Sequence, residues 1–500
     1  MGFLVTSFVV SRIGIAHFGI YGLITAVLAP LGLANLGFGD AALKYISQLM
    51  NEGNAGKAKQ YFQTTMFMNS CVGVGGGLCI LLFAPALVRF FFNIPPEDRE
   101  VTDQCIYLVA ITWSATTFSS IFVSIPPALQ NYRRLAQTSL VLVIITSALK
   151  VAFVACGYGL LGFTFAGALG ALMTLCLWFA QVRKLAPALV GMPKLYKDIW
   201  ISSWRFGGWR TLGQIAGILA NQMDKYILGA FLIPASVGIC TVCQTLETSA
   251  YMGVFKLSEV LFPTFSAMNS ESMERKLQMV IRANSILTLV AVVVLVPLIP
   301  ISYDLLKLWV GQEIASKGEI VLQTMTIAGT LGCATNGIYF FLLGLGRTKS
   351  LTALSWITSV VGLLVAAFAL PKYGLPAAGW SGVAGAMAQI VALIFLLKRL
   401  SENQLTVSSI FASFYVMPLT GIAISVICAR LGFHVNSWPY LVLAYVLLAS
   451  IIFLGCMSVN MLFSSGRMQN SQLFRFAKDY ISVNVNWASK YVRNFRHLEL

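Results

Sequence analysis

Long apolar runs recur from one end of the chain to the other, and they are continuous rather than alternating. A membrane-spanning helix needs about 20 apolar residues; a barrel strand would alternate over about ten. The runs predict helices near 2–11, 20–40, 62–88, 104–128, 138–156, 160–181, 208–232, 237–263, 279–302, 319–344, 351–370, 376–397, 408–429 and 438–463. That is an all-α polytopic membrane protein with about fourteen transmembrane helices. The first run is short, with only "GFLVTSFVV" before Arg12, and it lacks the basic start and small-residue cleavage site of a signal peptide.

Polar positions interrupt two of these runs. Residues 205–232, "RFGGWRTLGQIAGILANQMDKYILGAFL", carry Arg210, Gln214, Asn221, Asp224 and Lys225 at spacings that share one helical face. The other faces carry Leu212, Ile215, Ile218, Leu219 and Ile227. A charge facing lipid near the bilayer centre costs about 2.5–3.5 kcal/mol on the insertion scale. The stripe is therefore expected to face protein or a wet cavity. The next run repeats the pattern with Gln244, Glu247, Thr248, Tyr251 and Ser258, and with Lys256 and Glu259 three apart. Asp224–Lys225 and Lys256–Glu259 also read as local charge pairs without a substrate role, and Arg210 also reads as an interfacial anchor. Further candidates are Arg12, Asn35, Lys44 and Lys150.

Composition fits the helical reading: 58% of the 500 residues are hydrophobic and 10% are charged, with mean hydropathy +0.80. The net charge of +16 would suit a nucleic-acid partner, but its distribution does not. Lys57 and Lys59, Arg133 and Arg134, Arg183 and Lys184, Arg275 and Lys276, Arg347 and Lys349, and Lys398 and Arg399 fall in alternate connections. The connections between, such as "NIPPEDREVTD", "GYGLLG" and "LIPAS", are acidic or neutral. This is the positive-inside pattern, and it places both termini in the cytoplasm. The ten cysteines lie within the apolar runs, and the CxxC of Cys240 and Cys243 has no second pair or histidine to complete a metal site. No metal or cofactor is expected.

The chain also repeats itself. At an offset of 215 residues, Tyr158-Gly159-Leu160 falls on Tyr373-Gly374-Leu375, Arg134 on Lys349, Gly167 on Gly382 and Gly170 on Gly385. Parallel repeats imply a pseudo-two-fold axis along the membrane normal, with a site between the halves. The expected organisation is an N-terminal six-helix bundle over 1–182, a cytoplasmic connection over 183–207, and a second six-helix bundle over 208–400. Two additional transmembrane helices follow over 401–464, then a basic tail over 465–500. In the tail, Leu473, Phe476, Tyr480, Val483, Trp487 and Tyr491 read as one face of a helix on the anionic inner leaflet.

Residues 11–47, "SRIGIAHFGIYGLITAVLAPLGLANLGFGDAALKYIS", resemble the opening of the oligosaccharide-lipid flippases, the polysaccharide biosynthesis protein branch of the multidrug/oligosaccharidyl-lipid/polysaccharide exporter superfamily. The matching elements are Arg12, Gly14, Phe18-Gly19-Ile20-Tyr21, Leu36-Gly37 and Ala42, and again Asp224, Gly229 and Gly238 in "QMDKYILGAFLIPASVGI". Asn35 stands where the family usually has an acidic residue. The resemblance implies a non-enzymatic flippase of the plasma (inner) membrane. It would move a polyprenyl-pyrophosphate-linked oligosaccharide, an O-antigen, capsule or exopolysaccharide unit, to the outer leaflet by alternating access. A polysaccharide polymerase and other assembly proteins would be its partners. On this reading cations such as Arg12, Lys44, Lys150, Arg210 or Lys225 meet the pyrophosphate, groups such as Gln214, Asn221, Gln244 and Thr248 meet the sugars, and Asn35 is a further substrate-binding candidate. Asp224 and Glu247 are candidates for proton coupling. The rival readings are a multidrug or metabolite exporter of the same superfamily and a membrane-embedded transferase or polymerase. Against the last, no histidine lies mid-membrane, no DxD motif occurs, and "GVGGG" (73–77) lacks the Lys-Ser/Thr of a phosphate loop.

Overall fold

The computed structural model describes residues 2–29, 45–50, 52–90, 92–259, 261, 265, 272–402, 406–431 and 435–465. Every regular element described is helical. In chain order these are α1 (Gly2–Ile13), α2 (Ile15–Leu28), α3 (Ala55–Phe90), α4 (Arg99–Ala128), α5 (Tyr132–Ala155), α6 (Gly159–Leu185), α7 (Lys197–Phe231) and α8 (Pro234–Glu259). Then follow α9 (Met273–Leu295), α10 (Ser302–Val310), α11 (Gln312–Cys333), α12 (Asn336–Gly344), α13 (Thr348–Tyr373), α14 (Ala378–Leu400), α15 (Val407–Arg430) and α16 (Trp438–Ser465). Among the described residues 10 helices are long and apolar enough to cross a membrane, or up to 11 if the bent α1–α2 pair is one span. This is a multi-pass membrane protein. α7 and α8 are 35 and 26 residues long, but their polar positions keep them out of that set.

The basic connections gather at one end of the bundle and the neutral ones at the other. α1 departs from the expected crossing at 2–11. At its start Phe3 stacks on Trp309 of α10, centroids 4.5 Å apart and 3° between planes, and meets Trp438 edge-on at 6.4 Å. Trp309 Nε1 donates to the Phe3 carbonyl at 2.9 Å, and the Ser7 hydroxyl donates to the Trp309 carbonyl. At its other end Gly14, with φ 84, turns the chain by 118° into α2. There His17 Nε2 lies 3.2 Å from Asp98 Oδ1 in the Pro96–Asp98 turn. Trp309, Trp438 and Asp98 all belong to the neutral end. α1 is 12 residues long and is long and apolar enough for a span only together with α2. Phe3 therefore packs with Trp309 and Trp438 at the neutral end.

Two further differences have local causes. α7 begins at Lys197, well before the expected 208, with Asp198 in its first turn, where the helix dipole favours a negative side chain. The expected helix at 319–344 lies within one apolar span, Gln312–Gly344, in which a two-residue turn separates α11 from α12. At the turn Ala334 N–H donates to Thr330 O (3.3 Å) and Thr335 N–H to Gly332 O (3.0 Å). Asn284 of α9 serves the interrupted backbone: its Nδ2 donates to Ala334 O at 2.7 Å and its Oδ1 accepts from Gly337 N at 3.0 Å. Such a turn is tolerated at membrane depth only when neighbours re-satisfy the freed groups.

The repeated segments fold alike. Gly159 and Gly374 both turn with positive φ, 55° and 67°. Gly170 of α6 lies against Thr146 of α5, as Gly385 of α14 lies against Thr358 of α13.

The apolar core is distributed unevenly. At the neutral end one continuous cluster joins the first and second halves of the chain, from Ile20, Leu23 and Ile106 to Val237, Leu306 and Leu322. At the basic end there are two separate clusters. One, around Phe62, Phe122 and Trp178, belongs to α3–α6. The other, around Val280, Phe341 and Leu397, belongs to α9–α15. α15 and α16 dock on α9, where Ser425 Oγ donates to Val296 O (2.7 Å) and Tyr445 OH to Val294 O (2.9 Å).

Candidate functional site

The polar faces of α7 and α8 are held by neighbours on both sides. Ser359 of α13 donates to the Ala216 carbonyl at 2.5 Å, and Ser381 of α14 donates to Asp224 Oδ1 at 2.7 Å. Tyr226 OH donates to Ala26 O of α2 at 2.6 Å, tying α7 to the first half. Asp224 therefore accepts from a hydroxyl on α14 while its neighbour Lys225 stays close enough to interact with it electrostatically. Lys225 is 7% exposed, a buried cation one turn below the α2–α7 contact of Gly229 with Leu23. A charge in such a place needs a counter-charge or a polar ligand.

α8 turns a ladder of hydroxyls along its length. Thr241, Thr245 and Ser249 donate to the carbonyls of Val237, Thr241 and Thr245 at 2.7, 2.7 and 2.6 Å. Their oxygens remain able to accept, and Thr248 and Ser249 are exposed. Ser258, expected in the same stripe, is buried and bonded to Val254 O. Lys256 and Glu259 form an exposed pair at 2.7 Å, in keeping with their reading as a local charge pair.

Glu247 is laid against α11. Its Oε1 occupies the space where a Cβ on Gly329 would stand, and its Oε2 accepts from Thr248 Oγ1 at 3.3 Å. One turn further on, Tyr251 OH donates to Asn336 Oδ1 at 3.1 Å, directly at the α11–α12 turn. Asn336 is buried, and its Nδ2 has no partner among the described residues. Glu247, Tyr251, Asn284 and Asn336 thus form one polar cluster around the α11–α12 turn.

The cations expected from the first half do not join this cluster. Arg12 is exposed on α1, its guanidinium 5.8 Å from the Phe8 ring centroid. Lys150 rests its ammonium 5.0 Å from the Phe163 centroid, between α5 and α6. Asn35 and Lys44 lie outside the described residues, as do the side chains of Arg210, Gln214 and Asn221 on α7 and the whole tail after Ser465. Gln244 is half-buried on α8, and Cys240 and Cys243 are buried packing residues of that helix.

Three contributors escaped the sequence reading: Gly329, Asn284 and Asn336. One signal was available. Asn69 and Asn284 obey the same 215-residue offset as the repeat, and both are buried. Elsewhere, a groove of about 710 Å³ between α3, α4 and α6 is lined by Gly73, Val74, Leu78, Tyr107, Ile111 and Leu172. Its Ser70 and Ser114 hydroxyls already donate to backbone carbonyls, so it offers little to a sugar.

A family of proteins described as "Polysaccharide biosynthesis protein" matches residues 1–269, and the chain belongs to that family. A relative in Haloferax volcanii, "Probable flippase AglR", is 23% identical over 339 residues, 67% of this chain and 66% of that protein. The match thus spans just under two thirds of the relative. The fold is similar to that of lipid II flippase MurJ in an inward closed conformation, with TM-score 0.72 and 13% identity over 94% of this chain and 97% of that one. It is also similar to an inward-facing multidrug resistance MATE family transporter of the MOP superfamily, with TM-score 0.69 and 16% identity over 80% and 94% of the two chains.

Proposed function

We propose that the protein is a flippase that moves a polyprenyl-pyrophosphate-linked oligosaccharide from the cytoplasmic to the outer leaflet by alternating access. The observation that carries this reading is the uneven core: the halves share one apolar cluster at the neutral end and have separate clusters at the basic end. With the basic end in the cytoplasm, the molecule is closed outward and divided inward, ready to receive a substrate made on the cytoplasmic side. The family and the relative named a flippase support the same reading.

The bundles over 1–182 and 208–400 then move against each other around the polar faces of α7 and α8. Lys225, buried beneath the closed end, meets the pyrophosphate at the head of the path, and Arg210, about 22 Å away along the same helix, meets it nearer the basic end. Gln214, Asn221, Gln244 and Thr248 supply hydrogen bonds to the sugars. The polyprenyl chain stays in the bilayer. Glu247 lies one turn from the C-terminal end of α11, where the helix dipole disfavours an added negative charge. That supports a role in coupling, with a proton or other monovalent cation neutralising the carboxylate during the cycle. A polymerase and assembly proteins would consume the product outside.

The test is export of lipid-linked sugar, or complementation of a flippase-deficient strain, with expression controls. Lys225→Ala and Arg210→Ala should each reduce transport at least tenfold, while Arg210→Lys keeps part of it because charge persists without the planar fork. Normal transport by both alanine variants would remove the α7 face from the substrate path. Export of organic cations with no sugar movement would favour the drug-exporter reading.

A further inference from the structure

The contact that closes the neutral end is made by glycines, and it is reciprocal. A Cβ on Gly19 of α2 would fall on the carbonyl oxygen of Pro234, and a Cβ on Gly238 of α8 would fall on the carbonyl oxygen of Ile15. One constant offset relates Ile15 to Pro234, Gly19 to Gly238 and Gly22 to Thr241. Each glycine therefore sits on the first-turn carbonyl of the other helix. Between them, a Cβ on Gly22 would come within 2.6 Å of Thr241 Oγ1. All three glycines are buried within the cluster that joins the two halves.

These residues are not there to favour the helices, since Gly in a helix interior is about 1 kcal/mol worse than Ala. Their absent side chains let the backbones of α2 and α8 touch. At Gly19 and Gly238 the obstacle to any side chain is backbone carbonyl, which cannot swing aside. At Gly22 it is one hydroxyl, which can be removed.

We propose that this glycine seam is the outer gate: its contact defines the outward-closed state, and its parting opens the path from outside down to Lys225. The inference rests on the alternating-access reading and adds the residues that set the equilibrium. Adding a methyl at the seam should hold the gate ajar and bias the molecule toward the outward-open state.

Cys240 of α8 is buried between Gly238 and Thr241 and reports on the seam without engineering. In right-side-out membrane vesicles treated with a membrane-impermeant maleimide, peptide mass spectrometry reads its labelling separately from that of other cysteines. Gly19→Ala and Gly238→Ala should raise Cys240 labelling at least tenfold over the unmodified protein. Gly22→Ala should raise it too, and Thr241→Ala placed beside Gly22→Ala should return it to the starting level. Thr241→Ala should not rescue Gly19→Ala, whose obstacle is backbone. Gly75→Ala on α3, where a Cβ meets nothing within 4 Å, is the control and should change neither labelling nor transport. If Gly19→Ala fails to insert, the Gly22–Thr241 pair decides alone. Unchanged labelling in Gly22→Ala, or no reversal by Thr241→Ala, would overturn the proposal. Because the labelling uses no substrate, increased labelling without sugar transport in any variant or in the unmodified protein would keep the gate and reject the substrate class.

Discussion

Two buried asparagines, 215 residues apart in the sequence, do different work in the two halves. Asn69 of α3 donates to Ser120 Oγ of α4 at 2.9 Å, and its Oδ1 has no partner among the described residues. α4 runs unbroken past it from Arg99 to Ala128. Asn284 of α9 faces a helix that is interrupted, and uses both ends of its amide on the freed backbone of Ala334 and Gly337. The same offset sets Ser114 of α4, bonded to the Gly73 carbonyl at 2.9 Å, against Gly329 of α11, which receives the Glu247 carboxylate. The repeat kept the scaffold of a buried amide between two helices. In the second half a buried turn divides one of those helices, and an acid and a tyrosine lie beside it. The comparison teaches that the halves share packing but not chemistry, and that the buried acid and tyrosine lie in the second.

Asn284→Leu against Asn69→Leu is the widest test of that difference. The first orphans a buried carbonyl and a buried N–H, at about 1–3 kcal/mol for each group, so thermal unfolding in detergent should show a loss of several kcal/mol. The second removes one hydrogen bond together with an oxygen that lacked a partner, and should cost about 1 kcal/mol or less. Equal losses would break the comparison.

Gly329→Ala should displace Glu247 and reduce lipid-linked sugar transport about tenfold or more, while Ser114→Ala at the equivalent position should transport normally and lose about 1 kcal/mol of stability. Glu247→Gln should match Gly329→Ala in transport and should flatten any dependence on an imposed proton or sodium gradient; a gradient response as strong as the unmodified protein's would take coupling away from this residue. Tyr251→Phe removes one bond to Asn336 and should cost about 1 kcal/mol, with slower transport at normal expression. Smallest of all is Lys256→Ala. Its pair with Glu259 is exposed, and surface pairs contribute about 0–1 kcal/mol, so stability and transport should stay within error of the unmodified protein.

Much of the helical plan was legible in the residues. The apolar runs located the crossing helices because burial in lipid demands a continuous apolar stretch. The Tyr-Gly-Leu turns of the repeat were visible because a positive φ calls for glycine at one fixed place. The site was less legible. Asp224 and Glu247 could be singled out as costly in lipid, yet nothing in their own segments specifies Ser381 or Gly329 as the groups they meet. Gly329 is the hardest case, because a glycine that seats another residue's side chain carries no polar signal of its own.

The sequence by itself determined which segments are helical, which are too polar to face lipid, how the basic connections alternate and that the chain repeats. Those are properties of single segments, fixed by transfer energy, periodicity and local backbone freedom. Tertiary structure alone decided that α1 bends by 118° into α2 and packs on Trp309, that Asn284 satisfies the turn between α11 and α12, and that α2 and α8 meet through glycines at one end while the halves stay separate at the other. Each of these depends on a pair of surfaces far apart in the chain. A pairwise contact is chosen by the shape and unmet hydrogen bonds of both partners together, and neither segment states it alone.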